Sequence, residues 1–184
     1  MRTIQNVNGG SRIICPAGTH NSVLNEIYDL GLFQGFDNPE ERVFKRGYVF
    51  LTDKRIKGGK HDGEPYVVSA IINDSKYSKG KLYSLIRSLC GREFTDEEMS
   101  AIDIDTLIGK PAIIEVTHEQ KNGQARPQIT KISRHMSGLP VLQREPDRET
   151  PPWVTNYRAK RLDKSTDTYT AVDNSVAVDT SNGI

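Results

Sequence analysis

Long apolar runs are missing from the chain: no stretch approaches the about 20 residues needed to cross a bilayer, which excludes a helical membrane protein. Cysteine is scarce. Cys15 and Cys90 stand far apart and outside any CxxC spacing, so they build neither a disulfide framework nor a zinc set, although one bridge between them stays open. No charged-then-apolar signal opens the chain at "MRTIQNVNGGSRII", from which we expect a reduced, cytoplasmic protein. A surplus of one charge sign is also absent, with 25 basic against 24 acidic residues and a net charge of +1, so the molecule as a whole exerts no pull on a polyanion.

Catalytic sets are missing too. His20, His61, His118 and His135 are scattered without HExxH or other ligand spacing, and "KGGK" lacks the GxxxxGK[ST] form that cradles a nucleotide phosphate. Asp96, Glu97 and Glu98 sit where a helix start favours acids. With no nucleophile, base and orienter in evidence, the expectation is a non-enzymatic protein without metal or cofactor.

Hydrophobic residues make up 35% of the 184, few for a wholly globular chain, and the deficit is concentrated toward the C-terminus. From Gln143 onward Pro, Ser, Thr, Asp and charge prevail. We expect a flexible segment over 1–14, one domain over 15–142 and a mostly disordered tail over 143–184, in which Trp153 and Tyr157 could dock on the domain or on a partner.

Within the domain, "THNSVLNEIYDLGLF" fits a long curved strand with a bulge, against a competing helix reading of "NSVLNEIYDLG". Val43 to Thr52 and the β-branched run from Tyr66 are the next strands, joined by the loop "DKRIKGGKHDGEP". Leu82, Leu85, Ile86 and Leu89 give helical spacing with Gly91 as the stop, and Thr95 with Glu98 forms a capping-box pattern for a second short helix. Alternation then returns in "KPAIIEVTHEQKNGQARPQITKIS", with Asn122 and Gly123 as a hairpin turn. The resulting fold class is mainly β with one or two short helices, in the order β-β-β-α-β-β of a five-stranded OB-fold-like barrel, which binds oligonucleotides chiefly on strands two and three.

The charge that cancels in the sum is uneven along the chain. Arg42, Lys45, Arg46, Lys54, Arg55, Lys57 and Lys60 face a single acid, Asp53, between residues 42 and 60. Single-stranded nucleic acid is held by cations that track phosphates and by aromatic rings that stack on bases. Candidate phosphate contacts are therefore Lys45, Arg46, Lys54, Arg55, Lys57, Lys60 and Lys76, and candidate stacking residues are Tyr48, Phe50 and Tyr77. Alternation puts Arg46, Tyr48 and Phe50 on one face of the strand, with Lys45, Val49 and Leu51 on the other. The competing reading makes Tyr48 and Phe50 core residues and the charges a solvated face.

The stretches "CPAGTHNSVLNEIYDLG", "LYSLIRSLCGREFTDEE" and "LIGKPAIIEVTHEQKNGQARPQITKIS", covering roughly residues 14–140, resemble small bacteriophage single-stranded DNA-binding proteins of replication or recombination modules. The resemblance implies an OB-type domain without enzymatic activity, single-stranded DNA as partner, and the cytoplasm of an infected bacterial host as location. Departures are Leu89 and Cys90 in place of a tryptophan-containing stretch, and "RPQITKIS", which lacks an aromatic usual on the last strand. The tail is at best a diluted version of the acidic, hydrophobic-tipped tails that recruit replication or recombination proteins, and an oligomer is compatible with the sequence. The rival expectation is a phage interaction module that binds a host or phage replication or defence factor.

Overall fold

A computed structural model describes residues 13–75, 80–145 and 149–162. Strand β1 (Gly18–Gln34) is followed by β2 (Arg42–Arg55), β3 (Pro65–Asn73), helix α1 (Lys81–Cys90), helix α2 (Asp96–Ala101), a 3-10 turn at Ile104–Leu107, β4 (Pro111–Lys121), β5 (Gln124–Arg134) and helix α3 (Pro152–Arg158). The strands form one antiparallel sheet in the order β3-β2-β1-β4-β5. The sheet curls until its two edge strands, β3 and β5, approach one another. Strand is thus the outcome for the 18–34 stretch, whose spacing also allowed a helix.

Local sequence explains most of these elements. β1 is long because two bulges, at Asn25 and Leu30, let it bend and change which side chains face inward, so its apolar residues need not alternate strictly. Leu82, Leu85, Ile86 and Leu89 bury one face of α1, and Gly91 ends it in the left-handed region at φ 69°, donating its N–H to the Arg87 carbonyl. α2 opens on the capping box: the Glu98 N–H donates to Thr95 Oγ1 at 3.2 Å and the Thr95 N–H donates to Glu98 Oε2 at 2.9 Å. Asn122 and Gly123 both take positive φ, the geometry of a two-residue hairpin turn between β4 and β5.

The core lies inside the curl. Leu24, Tyr48, Phe50, Val68, Leu85, Ile86, Met99 and Ile114 pack there, and Ser88 Oγ donates to the Ile132 carbonyl at 2.9 Å, fastening α1 to β5. Cys15 and Cys90 are both free thiols, so the bridge left open by the sequence does not form.

The C-terminal segment corrects the expected domain boundary. Residues 139–145 and 149–162 run back over the outer face of β1 and β2 instead of leaving the domain at residue 142. Asn21 Nδ2 donates to the Pro140 carbonyl at 2.7 Å. Asn25, buried in the β1 bulge, donates to the Glu145 carbonyl at 2.9 Å and accepts from the Glu145 N–H at 2.6 Å. Arg144 pairs with Glu26 at 2.7 Å. Farther along, Arg158 Nε donates to the Asp29 carbonyl at 2.7 Å and the Leu162 N–H to the Leu32 carbonyl at 2.8 Å. The physical reason is that a polar chain can be held by directed hydrogen bonds to a bulged strand plus a few apolar anchors, here Val154 and Trp153, without a continuous apolar face.

Candidate nucleic-acid interface

The inner and outer faces of β2 receive the alternation expected of them, but the inner one is not a ligand face. Tyr48 and Phe50 are 1% and 0% exposed, opposite Ala70 and Val68 of β3, and stack on no ligand in this fold. The curl turns that face into the interior, so both rings belong to the core. Burial pushes the Tyr48 hydroxyl well above the usual tyrosine range, against the opposing pull of Arg46, so the phenol stays neutral.

Arg46 is likewise withdrawn from solvent. Its Nε donates to Asp29 Oδ1 at 2.7 Å, its other arm meets Asp74 Oδ2 at 2.5 Å, and the side chain is 14% exposed. Burial alone lowers an arginine pKa, but the Asp74 and Asp29 carboxylates outweigh it and the net shift is upward. A guanidinium already satisfied by two carboxylates is a structural cation and not a phosphate contact.

The remaining cations stay accessible. Lys54 and Arg55 extend β2 past the core, and Lys57 and Lys60 follow in the loop; all four are exposed. Arg55 makes a loose pair with Glu145 at 3.9 Å, whereas among the described residues no ion pair holds Lys54, Lys57 or Lys60. Lys76 and Tyr77 lie outside the described residues.

Lys45 has a different setting. On the outer face of β2 its ammonium sits 5.3 Å from the centroid of the Phe33 ring of β1. Phe33 meets Tyr157 of α3 edge-on at 5.0 Å, and Tyr28 meets Trp153 edge-on at 6.2 Å. Arg158 and Arg161 enter the same surface from the C-terminal segment. Two glycines make room for this approach: a Cβ on Gly47 would come within 2.6 Å of Trp153, and one on Gly31 within 2.7 Å of Arg161. Phe33, Lys45, Tyr157, Arg158 and Arg161 therefore form a half-buried patch of aromatics and cations assembled from three separate parts of the chain.

Of this patch, the sequence points to Lys45 as a nucleic-acid contact and to Tyr157 only as a docking residue. The available signal was small: Trp153 and Tyr157 stand four residues apart just after Pro151 and Pro152, a spacing that puts both rings on one side of a helix whose first turn tolerates proline. Nothing in the sequence says which face of which strand such a turn would cover.

A cysteine, histidine and acid also meet in space, unlike in sequence. Cys15 Sγ lies 3.7 Å from His20 Nε2, and His20 Nδ1 lies 4.0 Å from Asp53 Oδ1. The set is not a nucleophilic triad. His20 Nε2 is 2.8 Å from the Pro16 carbonyl, which only accepts, so that nitrogen carries a hydrogen and has no lone pair for the thiol. Cys15 is 1% exposed, and burial pushes its thiol up to about 11, leaving no thiolate to react near neutral pH. Among the described residues no group of histidine, cysteine and acidic side chains could hold a metal ion, and no helix is long and apolar enough to cross a membrane. The chain matches no protein-family model, and no curated protein matches it.

Proposed function

We propose that the protein binds single-stranded DNA without enzymatic activity and with little sequence preference, as a phage-type protein of DNA replication or recombination. The observation that carries this reading is the outer patch, where rings from β1 and α3 stand among cations from β2 and the C-terminal segment. Such a surface supplies both requirements of single-strand binding, stacking platforms and phosphate contacts. The strand order and the position of α1 between β3 and β4 are compatible with an OB-like barrel, whose ligands engage the face of strands two and three and the loops beside it. Lys54, Lys57 and Lys60 add a separate exposed cationic stretch at the other end of β2.

Titration with an oligothymidine at low salt, followed through the single tryptophan, Trp153, tests the reading directly. Phe33→Ala/Tyr157→Ala is expected to weaken binding by roughly 1–3 kcal/mol per lost stack. Replacing Lys54, Lys57 and Lys60 by alanine is expected to flatten the dependence of log affinity on log salt by about 2, since each phosphate on a single strand contributes about 0.7. No binding by the wild-type protein at low salt overturns the proposal.

A second reading, an interaction module for another protein, is favoured by Phe36, which is 100% exposed in the turn between β1 and β2. Its discriminating variant is Phe36→Ser: loss of a protein partner with DNA binding intact supports it.

A further inference from the structure

A concave surface lies at the seam of the curled sheet, where β3 and β5 approach without pairing and α1 crosses the gap. A groove of about 610 Å³ runs between Ser69–Ile72 of β3, the first turns of α1 and Pro127–Ile132 of β5. An adjoining hollow of about 440 Å³ continues it past the end of α1, and the two share Lys131 and Ile132 as a common wall.

The charge along this path is one-sided, although the chain as a whole is nearly neutral. Lys81, Lys131, Arg87, Arg92 and Arg134 line it, against the single acid Glu93. Glu93 is occupied, accepting from Arg87 at 2.9 Å and from the Tyr83 hydroxyl at 2.5 Å. Arg92 pairs with Glu98 at 2.9 Å and lies 3.7 Å from the centroid of the Phe94 ring. Among the described residues, no ion pair holds Lys81, Lys131 or Arg134. Arg134 rests against Gly91, where a Cβ would come within 2.7 Å of its Nε. The Ser84 and Thr130 hydroxyls donate to the Gly80 and Glu115 carbonyls at 3.3 and 3.2 Å, Ser133 stands beside Arg134, and Ile71, Ile129 and Ile132 supply apolar surface.

Two occupants suit a groove between free sheet edges: an extended peptide that adds a strand, or a flexible polyanion. Pro127 weighs against the first. Proline is tolerated in a sheet only where its nitrogen faces away from the ladder, so the free edge of β5 lacks a donor at that position. Lys131 on the same strand is the kind of residue that deters strand addition. The cations outside ion pairs instead meet the needs of a phosphate backbone, with the Lys81 and Lys131 ammonium groups and the Arg134 fork as donors and the isoleucines as a surface for sugars or base faces.

We propose that this groove is a second contact surface for single-stranded nucleic acid, with Lys81, Lys131 and Arg134 holding phosphates. The inference rests on the DNA-binding reading above and adds a path for the strand beyond the outer patch. Its consequence is a longer occluded site than one face allows.

The test compares Lys81→Ala/Lys131→Ala with wild type on oligothymidines of increasing length. Both lysines are exposed and, among the described residues, neither is held in an ion pair, so the fold is expected to persist, as checked by thermal unfolding. The expected result is an unchanged affinity for the shortest oligomer that binds, at least a fivefold loss on longer ones, and a salt slope lower by about 1.4 for the two phosphates released. Arg134→Ala is a separate variant with the same expected direction. If wild type binds and the double variant matches it at every length, the groove proposal is overturned while the DNA-binding reading stands; if wild type binds no oligothymidine, both fall. Binding of polyglutamate that the double variant abolishes, with oligothymidine binding unaffected, overturns it in favour of an acidic protein partner.

Discussion

The two faces of β2 are equally dry and differently made. Tyr48 and Phe50 on the inner face are 1% and 0% exposed, and Val49 and Leu51 on the outer face are 2% exposed each. The inner residues are covered by the body of the domain, by β3, α1 and the turns before β4, through many apolar neighbours at once. The outer side is covered in part by a C-terminal segment, tied down by a handful of hydrogen bonds and seated on Gly47 through one indole ring. Equal burial therefore conceals unequal security. A face covered by the core opens only when the protein unfolds, whereas a face covered by a strap opens at the cost of the strap's own contacts.

The largest expected effect comes from breaking the inner face. Phe50→Ala removes a fully buried ring and is expected to cost about 3–5 kcal/mol, read as a lower urea midpoint with an unchanged slope. Gly47→Ala attacks the outer face, since the new methyl would meet Trp153 at 2.6 Å. A loss of about 1–3 kcal/mol is expected, together with red-shifted Trp153 emission as the indole leaves its seat. The same shift without any change in the far-UV spectrum would show the strap lifting from an intact barrel; unaltered emission would mean that the two faces are equally fixed.

Thr95→Ala, at the capping box and away from both faces of β2, is expected to cost about 1 kcal/mol by thermal or urea unfolding. It calibrates how much a local cap contributes against either face. The last contrast is alkaline stability. The Tyr48 pKa is raised in the folded protein above its ordinary value of 10.0, so the unfolded chain releases this proton first. The resulting stability is complete below pH 10 and is lost as pH rises through the raised folded value, so wild type is expected to lose stability above pH 10 faster than Tyr48→Phe.

Much of this was legible residue by residue. The Asn122 and Gly123 turn, the Gly91 stop and the Thr95 and Glu98 box are short-range devices, each fixed by backbone geometry or by hydrogen bonds spanning three or four residues. Alternation correctly separated Arg46, Tyr48 and Phe50 from Lys45, Val49 and Leu51. It could not tell which set faced the interior, because a period of two is symmetrical between faces and a buried strand carries apolar residues on both. Composition hid α3 for a related reason. A window average over the C-terminal residues is dominated by Pro, Ser, Thr and charge, while docking depends on Trp153 and Val154 meeting a surface prepared by Gly47 and Leu30.

By itself, the sequence determined the elements from β2 to β5, their order and the cationic stretch after the second strand, since these follow from propensity, capping and charge within a few residues. Only the tertiary structure decided what each face would meet. The curl of the sheet sent Tyr48 and Phe50 inward and gave Arg46 to Asp29 and Asp74. The returning C-terminal segment brought Tyr157, Arg158 and Arg161 to Phe33 and Lys45 across more than a hundred residues of chain. Contacts at that separation depend on the summed geometry of every intervening element, and no local pattern records that sum.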